Sequence, residues 1–154
     1  MKYVKKILIP LFVLALLSTS ASAQIFKPVK WSYASKRTGK NEAILFIRAV
    51  IDQGWHIYSQ DMTAGSGPVK TSFQFVADKL YKLDGKVSEP QSKKVFDPNF
   101  NMVLEFLEGS VTFQQKIKLS SGTPTKVSGS VHFMVCDEER CLPPEDVKFS
   151  ILVK

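Results

Sequence analysis

The residues of this chain best suited to chemistry are its two cysteines. Cys136 and Cys141 lie five positions apart in the run Met134-Val135-Cys136-Asp137-Glu138-Glu139-Arg140-Cys141-Leu142-Pro143-Pro144-Glu145-Asp146. With no third cysteine in the chain, they read as one bridge. Four intervening residues leave room for the backbone to fold back and bring the α-carbons within the ~4.4–6.8 Å that a disulfide requires. Pro143 and Pro144 carry no amide hydrogen and cannot continue a ladder, so they should hold the second cysteine out of regular pairing. Closing so short a loop stabilises a fold by roughly 2 kcal/mol, a gain that a chain this rich in large apolar residues does not obviously need. Spacing alone leaves a structural staple and a reversible redox centre both open.

The neighbours of the pair refine its chemistry. Asp137, Glu138, Glu139, Glu145 and Asp146 surround it, and negative charge disfavours a thiolate. Arg140, beside Cys141, opposes this locally. The expectation is a pair that reacts slowly alone and needs a matched partner thiol. Metal binding is a weaker alternative. The cysteines together with His56 and His132 could make a tetrahedral set, but the usual C-x2-C spacing is absent. His132 alternates with Val131 and Phe133 and should face away from them. Neither histidine has a recognisable triad context, so a hydrolase has little support. Two such histidines are expected on the surface or as hydrogen-bonded core residues, and no metal or cofactor is expected.

Strands must position the pair. Residues 41–51 are rich in Ile, Phe, Val and Leu. Phe73 and Phe75 share a face of the run 71–76, and Val111, Phe113, Ile117 and Leu119 share another. Val127, Val131, Phe133 and Val135 form a third such face, and Val147, Phe149, Ile151 and Val153 a fourth. This is the period of half-buried strands. The cysteines fall between the last two runs, at the neck or tip of a hairpin. Turn signals stand at Thr38-Gly39, Gly65-Ser66-Gly67-Pro68, Asp84-Gly85, Asp97-Pro98-Asn99 and Ser121-Gly122-Thr123-Pro124. Residues 64–68 lack the spacing of a phosphate-binding loop. With no helical stripe, the pattern implies an antiparallel β-sandwich.

The first residues speak to compartment. Lys2, Lys5 and Lys6 precede an apolar run over 7–17, followed by small residues ending in Ala21-Ser22-Ala23. These are the three regions of a cleavable secretory signal, with the cut expected before Gln24. The run is well short of the ~20 residues that span a bilayer. Residues 1–23 are therefore read as a signal peptide and residues 24–154 as one domain that is not integral to the membrane after cleavage. The formal charge of +7 falls to +4 on cleavage, because three of the 21 basic residues leave and the 14 acidic ones stay. The remaining basic residues are scattered, which gives no nucleic-acid footprint. Both cysteines lie in the exported part, in a compartment that permits disulfides.

Residues 129–150, GSVHFMVCDEERCLPPEDVKFS, resemble the segment carrying the active cysteines in the N-terminal periplasmic domain of the DsbD thiol:disulfide interchange proteins. Gly54-Trp55-His56-Ile57-Tyr58-Ser59 is similar to a strand of that domain, Gly67-Pro68-Val69-Lys70-Thr71-Ser72-Phe73 to a motif of related members, and Phe113-Gln114-Gln115-Lys116-Ile117 to the strand before the cysteine hairpin. Cys141-Leu142-Pro143-Pro144 is the most specific part. The gap between the cysteines is slightly shorter here than in the best-known members.

The resemblance implies an all-β, immunoglobulin-like antiparallel β-sandwich with a Cys136–Cys141 pair that cycles between dithiol and disulfide. It implies that Cys141 forms the mixed disulfide with a partner and that Cys136 resolves it. A cap loop should shield the pair, matched here by Phe96-Asp97-Pro98-Asn99-Phe100, with Phe100 as the capping aromatic and Phe96 as its reserve. Asp97 belongs to the same surroundings, as turn former or functional group, and Tyr58 matches a tyrosine near the pair. Trp55 is expected in the core. The implied partners are periplasmic thioredoxin-like or disulfide-isomerase proteins, including cytochrome c maturation thioredoxins. The sequence holds no membrane-helix segment and no C-x-x-C, so the electron donor is expected on another chain, in the membrane. The activity would be that of a protein-disulfide reductase component. The alternative is a non-catalytic immunoglobulin-like binding module whose bridge merely pins one hairpin.

Overall fold

The computed structural model describes residues 26–62 and 67–154. The signal segment 1–23 and most of the glycine loop at 64–68 lie outside the described residues. Alternation with a period of two is carried furthest by β2 (Glu42–Ile51) and β8 (Ser110–Leu119), where every second side chain, from Ala43 to Ile51 and from Val111 to Leu119, is buried. They pair antiparallel in the centre of a sheet flanked by β1 (Val29–Gly39) and β5 (Tyr81–Ser88), in the order β1-β2-β8-β5. A second sheet contains β3 (His56–Tyr58), β6 (Lys93–Asp97), β7 (Met102–Glu108) and β10 (Val135–Cys136), in the order β10-β3-β7-β6. A third contains β4 (Ser72–Phe75), β9 (Thr125–Phe133) and β11 (Glu145–Val153), in the order β11-β9-β4. Every pairing among these strands is antiparallel, and no helix occurs among the described residues.

One core is filled from all three sheets. Leu45, Ile47, Phe113 and Ile117 of the first sheet meet Val127, Val131, Phe149 and Ile151 of the third and Ile57, Leu107 and Val135 of the second. Aromatic contacts cross between the layers, with Trp31 against Phe133 at 5.2 Å and Phe73 against Phe113 at 4.9 Å between centroids. A wholly buried Val, Leu, Ile or Phe stabilises a fold by about 1.5–3 kcal/mol. One or two of these residues therefore match all that the short bridge could add. The architecture is the immunoglobulin-like antiparallel β-sandwich.

Two local expectations are corrected. Asp84-Gly85 does not reverse the chain but lies within β5. Gly85 takes φ +79°, and the register with β8 slips between Asp84 and Ser88. The turn chemistry is spent on a bulge, where the Gly85 carbonyl accepts a hydrogen bond from Gln115 Nε2 at 3.2 Å. The run from Val127 to Val135 is not one strand either. β9 ends at Phe133, and after Met134 the chain crosses to the second sheet, where β10 pairs with β3. The cysteines nonetheless lie where the hairpin reading puts them, in the connection at the end of the antiparallel β9–β11 pair, and β10 ties that connection to the second sheet.

Candidate functional site

The second sheet has two occupied faces, because neighbouring residues on a strand point in opposite directions. Ile57, Leu107 and Val135, directly paired across β3, β7 and β10, enter the main core. Their neighbours Tyr58, Phe106 and Cys136 point the other way and, with Leu104, form a separate small cluster. Met62, Phe100, Met134 and Cys141 pack against it.

Cys136 and Cys141 are joined by a disulfide, with α-carbons 4.1 Å apart, just under the usual range. They form an isolated antiparallel bridge closed by two backbone hydrogen bonds, Asp137 N to Arg140 O and Leu142 N to Val135 O, each 2.9 Å. Asp137 shapes the loop further, since its Oδ1 accepts the amides of Glu139 at 2.9 Å and Arg140 at 2.8 Å. These bonds hold its carboxyl below the usual range. Past Cys141, Leu142, Pro143 and Pro144 lie outside any strand, consistent with the missing amide hydrogens of the two prolines, and β11 starts at Glu145. The two sulfurs are not equivalent: Cys136 is 0 % exposed, whereas Cys141 is partly open.

A polar cluster lies beside this bridge in the otherwise apolar pocket. The Tyr58 hydroxyl donates to Asp97 Oδ2 at 2.6 Å, and both residues are fully buried. Asp97 Oδ1 accepts the amide of Asn99 at 2.8 Å and lies 3.4 Å from that of Phe100. Asp97 is therefore both turn former and buried anchor. Pro98 to Asn101 make the β6–β7 turn, and Asn101 takes φ +53°, a left-handed conformation that asparagine tolerates. The turn carries Phe100 to the cluster, its ring 6.0 Å from that of Tyr58 and edge-on to it. Asn99 Nδ2 donates to the Asp137 carbonyl at 2.9 Å and so ties the turn to the cysteine loop. Burial, reinforced by Asp97, pushes the Tyr58 phenol far above its ordinary value.

Phe96 does not reach the pair. It is paired with Val103, so both point away from the face that carries Asp97 and Met102, and Phe96 is 57 % exposed. Trp55 is buried in the core as expected. Arg140 lies over the Trp55 ring at 5.7 Å and within 3.8 Å of Asp137. Among the five acids, Glu145 pairs with Lys27 at 3.5 Å and Asp146 with His132 at 3.1 Å, Glu138 and Glu139 are exposed on the loop, and Asp137 accepts hydrogen bonds from the loop's own backbone. His132 is thereby a surface residue. No group of three or more His, Cys, Asp or Glu among the described residues is arranged to hold a metal.

From sequence, His56 is a candidate metal ligand and a surface or hydrogen-bonded core histidine, with no part beside the cysteines in exchange. It is the direct cross-strand partner of Cys136. The residue is 6 % exposed, and its ring stacks on Phe106 at 3.7 Å and 10° and places Nε2 3.4 Å from the Tyr58 hydroxyl. Burial lowers its pKa, while Asp97, Glu108 and Asp137 oppose that shift. The period of two could have found it, since the face that carries Tyr58 must also carry the residue two positions earlier.

Fold and site together define a β-sandwich with a half-buried disulfide centre beneath a tethered turn. Residues 23–152 match the family of the N-terminal domain of thiol:disulfide interchange protein DsbD, and the chain belongs to that family. No curated protein matches it. Solved structures share the fold at low identity. The N-terminal periplasmic domain of ScsB from Proteus mirabilis superposes with a TM-score of 0.60 at 11 % identity over 82 % of this chain. The match spans 47 % of that ScsB chain, so this protein corresponds to about half of it. The Neisseria meningitidis complex between the DsbD N-terminal and PilB N-terminal domains gives 0.52 at 14 %, over 82 % of this chain and 87 % of the other. The reduced DsbD N-terminal domain of the same organism gives 0.49 at 16 %, over 77 % and 82 %.

Proposed function

We propose that this chain is an exported thiol:disulfide interchange module that passes electrons to oxidised partner proteins through Cys136 and Cys141. The observation that supports it best is the unequal exposure of the two cysteines under a turn held by side chains. Exchange needs one sulfur that a partner can reach and one kept from solvent, and this pair supplies both.

In the reduced protein, the Cys141 thiolate attacks one sulfur of a partner disulfide. A mixed disulfide forms and the partner's second sulfur leaves as thiolate. Cys136 then attacks Cys141, the Cys136–Cys141 bond forms, and the electron pair leaves with the partner's first sulfur. The partner is reduced by two electrons and this chain is oxidised by two, to the bridged form described above. Phe100 moves aside with the β6–β7 turn when the partner docks. Residues 1–23 serve as signal peptide and residues 24–154 as the working domain in the periplasm. Thioredoxin-like or disulfide-isomerase proteins, including those of cytochrome c biogenesis, are the acceptors, and a membrane protein on another chain is the donor. Family membership and a DsbD N-terminal domain solved in complex with a PilB N-terminal domain support this assignment.

Expressing Cys136→Ser in the native envelope tests the reading. A mixed disulfide that disappears when Cys141 is also removed is the expected result. No Cys141-dependent adduct, together with a reduction potential well below about −300 mV, would instead identify a binding module with a structural bridge.

A further inference from the structure

We infer that His56 accepts the proton of the buried Cys136 thiol when that thiol resolves the mixed disulfide, a role that rests on the interchange reading above. Resolution breaks the Cys136 S–H bond, forms the Cys136–Cys141 bond and breaks the bond from Cys141 to the partner. The electron pair leaves on the partner's sulfur, and the proton must go elsewhere. Cys136 is 0 % exposed in the bridged form, so a side chain buried with it is better placed than bulk water to take the proton.

The neighbouring groups narrow the choice of acceptor. Tyr58 holds its phenolic proton against Asp97 at 2.6 Å, and burial opposes its ionisation. Asp97 has both oxygens engaged, Oδ2 by Tyr58 and Oδ1 by the Asn99 amide. His56 remains. It stands directly opposite Cys136 across the β3–β10 ladder, where paired side chains share a face. The flat stack on Phe106 fixes its ring.

Charge around His56 suits an imidazolium formed in passing. Asp97 Oδ2 lies 3.8 Å from Nε2. Glu108 is its partner on β7, bridged by Lys93 at 2.7 Å. Asp137 faces it from the cysteine loop, with Arg140 at 3.8 Å from that carboxylate. Burial keeps the resting ring neutral, with a ring nitrogen free to accept a proton, and the three carboxylates stabilise the charge once the proton arrives.

The experiment uses the reduced full chain mixed with 5,5′-dithiobis(2-nitrobenzoate), whose thiolate is coloured. A first absorbance phase follows Cys141 attack, and a second follows resolution by Cys136. Cys136→Ser should show only the first. In His56→Gln, the second phase should slow at least about tenfold near neutral pH. Its pH profile should also move from the imidazole range to the thiol range, with the first phase within about twofold of wild type. Second phases that superimpose in rate and pH profile overturn the inference. Absence of a Cys141-dependent first phase overturns the interchange reading itself, and the role of His56 with it. If His56→Gln does not fold, the wild-type imidazole is titrated by NMR in both redox states. A midpoint that differs between oxidised and reduced protein is expected, and coincident curves overturn the inference.

Discussion

Asn99 and Asp137 join two loops that are far apart in sequence: the Asn99 side-chain amide donates to the Asp137 carbonyl at 2.9 Å. Through this bond the turn that carries Phe100 is fastened to the loop that carries the disulfide. It is exposed and neutral, and such a bond contributes about 0.5–1.5 kcal/mol net, enough to bias a turn and too little to lock it. Asn99→Ala should therefore speed reduction of the bridge by dithiothreitol about threefold to tenfold while leaving the urea midpoint nearly unchanged. Equal reduction rates in the two proteins would remove the tether from the account.

Asp97 anchors the same turn from beneath. Asp97→Ala leaves the buried Tyr58 hydroxyl without an acceptor, at a cost of about 1–3 kcal/mol. Phe96→Ala, one residue earlier on the exposed face, should stay within about 0.5 kcal/mol. Urea denaturation compares them directly, and similar losses in the two variants would contradict the assignment of faces across β6 and β7.

The two cysteines should differ in reach. With the bridge broken by Cys136→Ser, Cys141 should be alkylated by iodoacetamide at least about tenfold faster than Cys136 is in Cys141→Ser, because a buried thiol is inert. Mass spectrometry over a time course reads both. Faster labelling of Cys136 would reverse the proposed roles.

Stability should fall on both sides of neutrality. His56 has its pKa lowered by burial, so below the unfolded value of about 6.5 the unfolded chain binds the extra proton more readily. Stability is complete above that pH and declines as pH falls through it. Tyr58 has its pKa raised, so above about pH 10 the unfolded chain ionises first and stability declines as pH rises. Urea midpoints against pH should show both limbs, and the acid limb should flatten in His56→Gln. An unchanged acid limb in that variant would mean that other groups set it.

Gly129 packs between two strands under an aromatic ring. A β-carbon there would lie 2.3 Å from the Gln74 carbonyl oxygen and 2.5 Å from Phe149 Cζ. Gly129→Ala should cost about 1–3 kcal/mol through overpacking, read as a lower midpoint by thermal or urea unfolding. A neutral substitution would show that β4 can shift away from β9.

The family, the all-β class and the cysteine centre were legible in the residues alone, because each depends on local order. Period-two alternation marked β2, β4, β8, β9 and β11, and the Cys-Leu-Pro-Pro run marked the centre. β5 and β6 carry few buried side chains, so their alternation left no trace in composition. The Asp84-Gly85 signal was real, but a turn residue specifies a backbone angle and not whether the chain then reverses. Phe100 and Phe96 could not be separated in sequence. The register of β6 against β7 separated them, since one step along a strand exchanges the faces. The same holds for His56, whose neighbour across the sheet lies 80 residues later in the chain. Residue type and local spacing determine what chemistry is available here. Which groups meet at the bridge is decided by strand pairing, because only the sheet brings β3, β7, β10 and the β6–β7 turn to one face.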